Sequence, residues 1–203
     1  MVFKNLHRFS GIIVSVFVVA HLFNHTMAWF GIATHQQILE FLRIVYQQPV
    51  VEIILIGCFL FQAYSGVILI VQLRNKEEKS SYEKLQIYSG VVLGLFIIQH
   101  ISATIGQRIY YQFDTNFYFA SRVVLQYPIN LFFVPYYFLG ILSFALHIAN
   151  VHRLKIMKAV GQKQAQTHFT IILSLFILVA ILILFVFMGG KYAIVIPNQY
   201  QVY

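Results

Sequence analysis

The sequence predicts an all-α integral membrane bundle, and three observations carry that reading. Of 203 residues, 60% are hydrophobic and 10% charged, with a mean hydropathy of +0.76. A soluble domain carries about 25% charged residues. Apolar runs long enough for a bilayer core, roughly 20 residues each, recur along the chain. The basic residues also fall unevenly between those runs, as they do around membrane helices.

The runs place five helices, at about 9–30, 50–73, 86–107, 131–150 and 169–188, in a single transmembrane domain covering 1–203. The first run follows Lys4 and Arg8, as a signal peptide would. His21, Asn24, His25 and Trp29 fill its far end in place of a small-residue cleavage site, so it reads as a retained helix. Between the first and second runs, Ile38, Leu39, Phe41, Leu42 and Val45 recur at helical spacing among Gln36, Gln37, Glu40 and Arg43. That pattern predicts an interfacial helix at about 34–46. Pro49 then suits the first turn of the second helix. The stretch 108–130 is rich in Tyr and Phe, as headgroup-level segments are, and Phe113-Asp114-Thr115-Asn116 reads as a turn. The tail after Lys191 is polar and aromatic and reads as extended.

Charge placement orients the bundle and excludes one class of partner. Lys4, Arg8, Arg74, Lys76, Lys79, Lys84, Arg153, Lys155, Lys158 and Lys163 fall on one side. Arg43, Arg108, Arg122 and Lys191 fall on the other. Ten against four predicts the N-terminus inside and the C-terminus outside. The net charge of +8 therefore reports topology and contact with anionic membrane lipid, not a nucleic-acid partner. Cys58 is the single cysteine, so neither an intrachain disulfide nor a CxxCH heme attachment is available.

The chemistry-bearing residues are histidines within the apolar runs. Ser10-Gly11, Phe17 and His21 in the first helix are echoed by Ser89-Gly90, Phe96 and His100 in the third. In both, the histidine follows the glycine by ten residues. At about 1.5 Å per residue, His21 and His100 lie on the order of 18–20 Å from the inner face, and His147 about 9 Å. Two imidazoles at matched depth on neighbouring helices can hold a heme iron from both sides. Gly11 and Gly90 would admit a flat ring near the backbone. The competing reading is that each histidine hydrogen-bonds across helices as packing. His25, one turn beyond His21, gives an i, i+4 pair of the kind found in zinc sites, with His100 as a third ligand. Asn24 stands where such proteins keep a glutamate base. His7, His152 and His168 at the inner interface and His35 in the outer loop read as solvated.

In helix number, topology and the order of these motifs, the chain resembles the five-helix heme b anchors (cytochrome b) of succinate:quinone oxidoreductases and fumarate reductases. The match runs from His7-Arg8-Phe9-Ser10-Gly11 through His21, Pro49 to Gly66, Leu85-Gln86, Gly90 and His100 to the stretch 143–150 with His147. The resemblance implies an electron-transfer subunit with no dehydrogenase chemistry of its own. It would react with quinone and join cytoplasmic flavoprotein and iron–sulfur subunits in a bacterial cytoplasmic membrane. It further implies His21 and His100 as ligands of an outer heme and His147 as a ligand of an inner one. The partner of His147 falls at Gln62, whose amide is a poor iron ligand; one heme b is expected, and a second stays open. Glu52 corresponds to a carboxylate that takes protons from quinol, or it is an interfacial acid reaching water. Gln62, Tyr64 and Ser65 are open as quinone contacts. A cofactor-free or metal-binding membrane protein of the same fold is the alternative.

Overall fold

The computed structural model describes residues 2–74 and 78–201. Every regular element among them is helical: α1 (Val2–Met27), α2 (Ile32–Tyr46), α3 (Pro49–Arg74), α4 (Ser81–Tyr110), α5 (Phe117–Leu125) and α6 (Asn130–Phe187). Short 3-10 turns follow at Ala28–Phe30 and Asn198–Tyr200. Four helices, α1, α3, α4 and α6, are long and apolar enough to cross a membrane. Burial is inverted relative to a soluble protein. Phe9, Val16, Ile53, Leu60, Leu95 and Leu178 are exposed, while Ser10, Asn24, Ser65, Ser89 and Asn150 are buried. Small polar residues between helices with apolar side chains outside are what a lipid solvent selects. The protein is membrane-embedded.

The segment 151–168, expected to connect two helices, is itself helical, and α6 runs 58 residues. A straight helix of that length would reach about 87 Å, far beyond a bilayer. The chain breaks at Gly161, whose φ of 81° lies where only glycine is at ease. The two arms fold back on each other. Phe144 meets Phe176, His152 meets His168, and Arg153 Nε donates to Gln166 Oε1 at 3.0 Å. Arg153 is buried, its guanidinium 3.4 Å from the Tyr82 ring centre, so it is a structural cation as well as a topological one.

Other boundaries also move outward. The third run begins at Ser81 because Ser80 caps it. The Ser80 side chain accepts from Glu83 N, and the Glu83 carboxylate accepts from Ser80 N at 2.9 Å. The turn at 113–116 leads into α5, which was not expected from the sequence. Asn116 Oδ1 accepts from Tyr118 N and Phe119 N to start it. The tail has no strand among its described residues and is anchored by Tyr200, buried, whose hydroxyl accepts from Asn116 Nδ2 at 2.9 Å.

The bundle has two chemically distinct ends. At the basic end, Lys4, Arg8, Arg74, Lys84, Lys155, Lys158 and Lys163 are exposed; Lys76 lies outside the described residues. The aromatic end gathers α2, α5 and the tail. There each cation has a specific partner: Arg43 with Asp114 (2.7 Å), Arg108 with Glu52 (2.5 Å), Arg122 over Phe119, and Lys191 over Trp29. The largest buried apolar cluster lies at this end too, with Leu22, Phe117, Val124, Ile141, Ile183 and Phe187.

Candidate functional site

The echo between α1 and α4 is a repeat in space. Phe17 stacks on His21 with ring centres 5.8 Å apart and planes at 15°. Phe96 stacks on His100 at 5.2 Å and 12°. The i, i+4 spacing brings each pair onto one helix face, and in both cases the phenylalanine fixes the imidazole. The two histidines face each other across the bundle, with ring centres 6.2 Å apart.

Both line a cavity of about 400 Å³ enclosed by α1, α2, α3, α4, α5 and both arms of α6. Its wall is mostly apolar, with Leu22, Leu55, Ile97 and Phe144 among its members. The polar groups that reach it are His21, His25, His35, Tyr46, Gln47, Glu52, Thr104, Gln107, Arg108, Thr115, Arg122, Tyr136 and Tyr137, besides His100. That volume is within the range of small-molecule and cofactor sites.

The separation of the two rings is compatible with a pair of ligands on one metal, although His21 Nε2 is engaged with His25. At about 2.0–2.1 Å per metal–nitrogen bond, two imidazoles on opposite sides of one metal have ring centres about 6–6.5 Å apart. The observed separation falls in that interval. Among the described residues, no three His, Cys, Asp or Glu side chains are arranged to hold a metal ion. The His21, His25 and His100 set is therefore not a preformed three-ligand metal site.

His25 and His35 extend the site toward the aromatic end. His21 Nε2 is 3.2 Å from His25 Nε2, and His25 Nδ1 is 3.2 Å from His35 Nε2. Asn24 Nδ2 donates to the same His35 nitrogen at 3.1 Å. One set of tautomers satisfies the chain: His21 donates to His25, and His25 and Asn24 donate to His35. His35 then carries its proton on Nδ1, which is buried and has no partner. The expectation that His35 is solvated is corrected here. It is 1% exposed, because α2 folds down onto α1 and presses the ring against Phe117 and Phe187. That burial brings its pKa down to about 4.

Glu52 lines the cavity with its carboxylate held by Arg108. Neither side chain is fully buried, so the pair stands at a water-accessible margin. The remaining expected residues lie elsewhere. Gly11 and Gly90 do not line the cavity. A Cβ at Gly11 would touch the Gln62 amide, and one at Gly90 the His147 ring, both at 3.4 Å. These glycines admit neighbouring polar side chains, not a flat ring.

Gln62 Nε2 donates to His7 O (2.6 Å) and Ser10 Oγ (2.7 Å). His7 Nδ1 is 2.6 Å from Ser65 Oγ, so that imidazole is a packing group rather than a solvated one. His147 has Gln86 Nε2 within 3.0 Å of its ring nitrogens and Ser89 Oγ at 3.5 Å. Tyr64 is exposed on the lipid side of α3. His168 is exposed and His152 half-buried, their ring nitrogens 3.1 Å apart.

The structure thus gathers His21, His25, His100 and Glu52 in one cavity and leaves Gln62, His147, Gly11 and Gly90 outside it. Sequence reasoning missed Arg122, Tyr136 and Tyr137 as lining residues. Their aromatic, headgroup-like context gave no sign that they turn inward. No protein family, no curated protein and no solved structure matches this chain, so the cavity and its residues carry the functional argument.

Proposed function

We propose that this protein is a heme b-binding, quinone-reactive membrane anchor similar to those of succinate dehydrogenase and fumarate reductase. It would pass electrons between a cytoplasmic dehydrogenase, with flavoprotein and iron–sulfur subunits, and membrane quinone. The observation that carries the reading is the pairing of His21 with His100, each stacked on its own phenylalanine, at a separation suited to two axial ligands. Counting the two arms of α6 separately gives five spans. The basic end then lies in the cytoplasm by the positive-inside bias, and the aromatic end lies outside a bacterial cytoplasmic membrane.

A bound heme b would supply reversible one-electron transfer. The chain's own residues do the rest. His21 and His100 would hold the group from two helices, and Phe17 and Phe96 fix the planes of those imidazoles. In the free chain His25 occupies the His21 nitrogen, and it must yield that position for ligation. Glu52, pinned by Arg108 at the margin of the cavity, is placed to accept a proton from a quinol hydroxyl and release it to water. The apolar wall excludes water from the interior.

The hydrogen-bonded chain His21–His25–His35 favours one other reading, since it satisfies these imidazoles with no cofactor. A visible spectrum separates the two. Protein purified from heme-replete cells is expected to show a Soret band and a sharp reduced α-band. His21→Ala or His100→Ala should abolish them, while His7→Ala and His168→Ala leave them. A colourless protein, or bands that survive both core substitutions, refutes the heme reading.

A further inference from the structure

The cavity is asymmetric, and its aromatic end holds a buried positive charge that no acid among the described residues meets. Arg122, on α5, is 9% exposed and lines the cavity. Its guanidinium lies 4.4 Å from the Phe119 ring centre and 5.0 Å from that of Phe113. Those aromatic faces stabilise the cation, but Nε is buried without a hydrogen-bond partner.

The described carboxylates are committed elsewhere. Asp114 pairs with Arg43 and Glu52 with Arg108. Glu40 is exposed and accepts from Gln36, and Glu78 and Glu83 lie at the basic end. A buried cation lacking a counter-charge is strongly disfavoured. A cation that lines one end of an apolar cavity, with no acid among the described residues to pair with, calls for an amphipathic occupant with an acid at that end.

We infer that the aromatic end of the cavity is a carboxylate subsite, in which Arg122 pairs with an acid group of the occupant. For the identity of the occupant this rests on the heme reading, since heme b carries two propionates on one edge. For the acid group it rests on the cavity alone, which a long-chain fatty acid would also satisfy. Arg122 thereby gives the ligand one direction, with its acid edge toward the aromatic end and its apolar body among Leu55, Ile97 and Phe144.

The test is a spectral titration of the full-length apoprotein in detergent with ferric heme and with ferric heme dimethyl ester, whose carboxylates are masked. The unmodified protein is expected to bind the diacid about tenfold to a hundredfold more tightly than the diester, the range for a charge-assisted hydrogen bond. Arg122→Gln should erase that preference, and Arg122→Lys should keep part of it. No preference in the unmodified protein, or an undiminished one in Arg122→Gln, overturns the inference. The first comparison needs no variant to fold. If neither heme binds, the heme reading has failed separately, and cis-parinaric acid, a fluorescent long-chain carboxylate, decides. Binding weakened tenfold or more by Arg122→Gln upholds the subsite. No binding, or binding indifferent to Arg122, overturns it.

Discussion

Gly140 tests whether the cavity wall is as tightly built as the structure shows. It lies on the first arm of α6, and a Cβ there would be driven into the Phe96 ring, inside any contact distance. Phe96 cannot move freely, because it stacks on His100 and also packs against Tyr136 at 4.8 Å. Gly140→Ala therefore has two opposed effects. Removing glycine from a helix interior stabilises by up to about 1 kcal/mol. Overpacking a well-filled contact destabilises by about 1–3 kcal/mol. The second wins, for a net loss of about 0–2 kcal/mol with His100 tilted off its present plane. Gly94→Ala is the control: nothing lies within 4 Å of a Cβ there, so only the helix gain remains. Thermal unfolding in detergent should place Gly140→Ala below the parent protein and Gly94→Ala at or above it. Phe96→Leu should recover much of the loss in the Gly140→Ala background. Equal stability of the two alanine variants would refute the packing argument.

Two further outcomes follow from other parts of the molecule. His35 has its pKa brought from 6.5 to about 4 in the fold, so the unfolded chain binds its proton first as pH falls. Its contribution is whole above pH 6.5, declines between 6.5 and 4 and is lost below, a total of about 3 kcal/mol. The groups acting on it are Asn24, His25, His21 and Arg43. His35→Gln should flatten the pH dependence of thermal unfolding across that window, and parallel wild-type and variant curves would contradict the burial of His35. Topology is read by labelling: cysteines placed at Lys79 and Tyr200 should react from opposite sides of the membrane, and reaction from one side would break the five-span count.

The long apolar helices were legible in the sequence because hydropathy is local, and so was the fit of Pro49 to a helix start. What was not legible depended on contacts between distant elements. Residues 151–168 carry the charge and glutamine content of a connecting loop, yet Lys, Gln and Ala are strong helix formers. Only Gly161 interrupts them. The Ser80–Glu83 capping box was present in the sequence, but the apolar run drew the boundary to Gln86. His35 read as solvated because its segment is amphipathic, and its burial comes from the docking of α2 on α1. The matched frame of Ser-Gly, Phe and His was visible in the sequence. That Gly11 and Gly90 face Gln62 and His147, not the cavity, was not: spacing gives a helix face, not its neighbour.

That last difference bears on the number of cofactors. Gln62 on α3 stands to Gly11 and Ser10 as His147 on α6 stands to Gly90 and Ser89, so the two occupy equivalent positions in the repeat. Their chemistry differs. The Gln62 amide is spent on His7 O and Ser10 Oγ, and amide oxygen binds iron far more weakly than imidazole. His147 is held by Gln86, which also accepts from Asn150 Nδ2 at 2.7 Å, while Asn150 bonds Tyr82 O at 2.8 Å. Freeing the ring for a metal would strand that network, at about 1–3 kcal/mol per buried group left unpaired. On the heme reading, pyridine hemochrome analysis is then expected to give about one heme per chain. Gln62→Ala should leave that value unchanged, and His147→Ala should lower stability without lowering it. Two hemes per chain in the unmodified protein, or loss of half the heme in His147→Ala, would show that the second pair of positions is a ligand site after all.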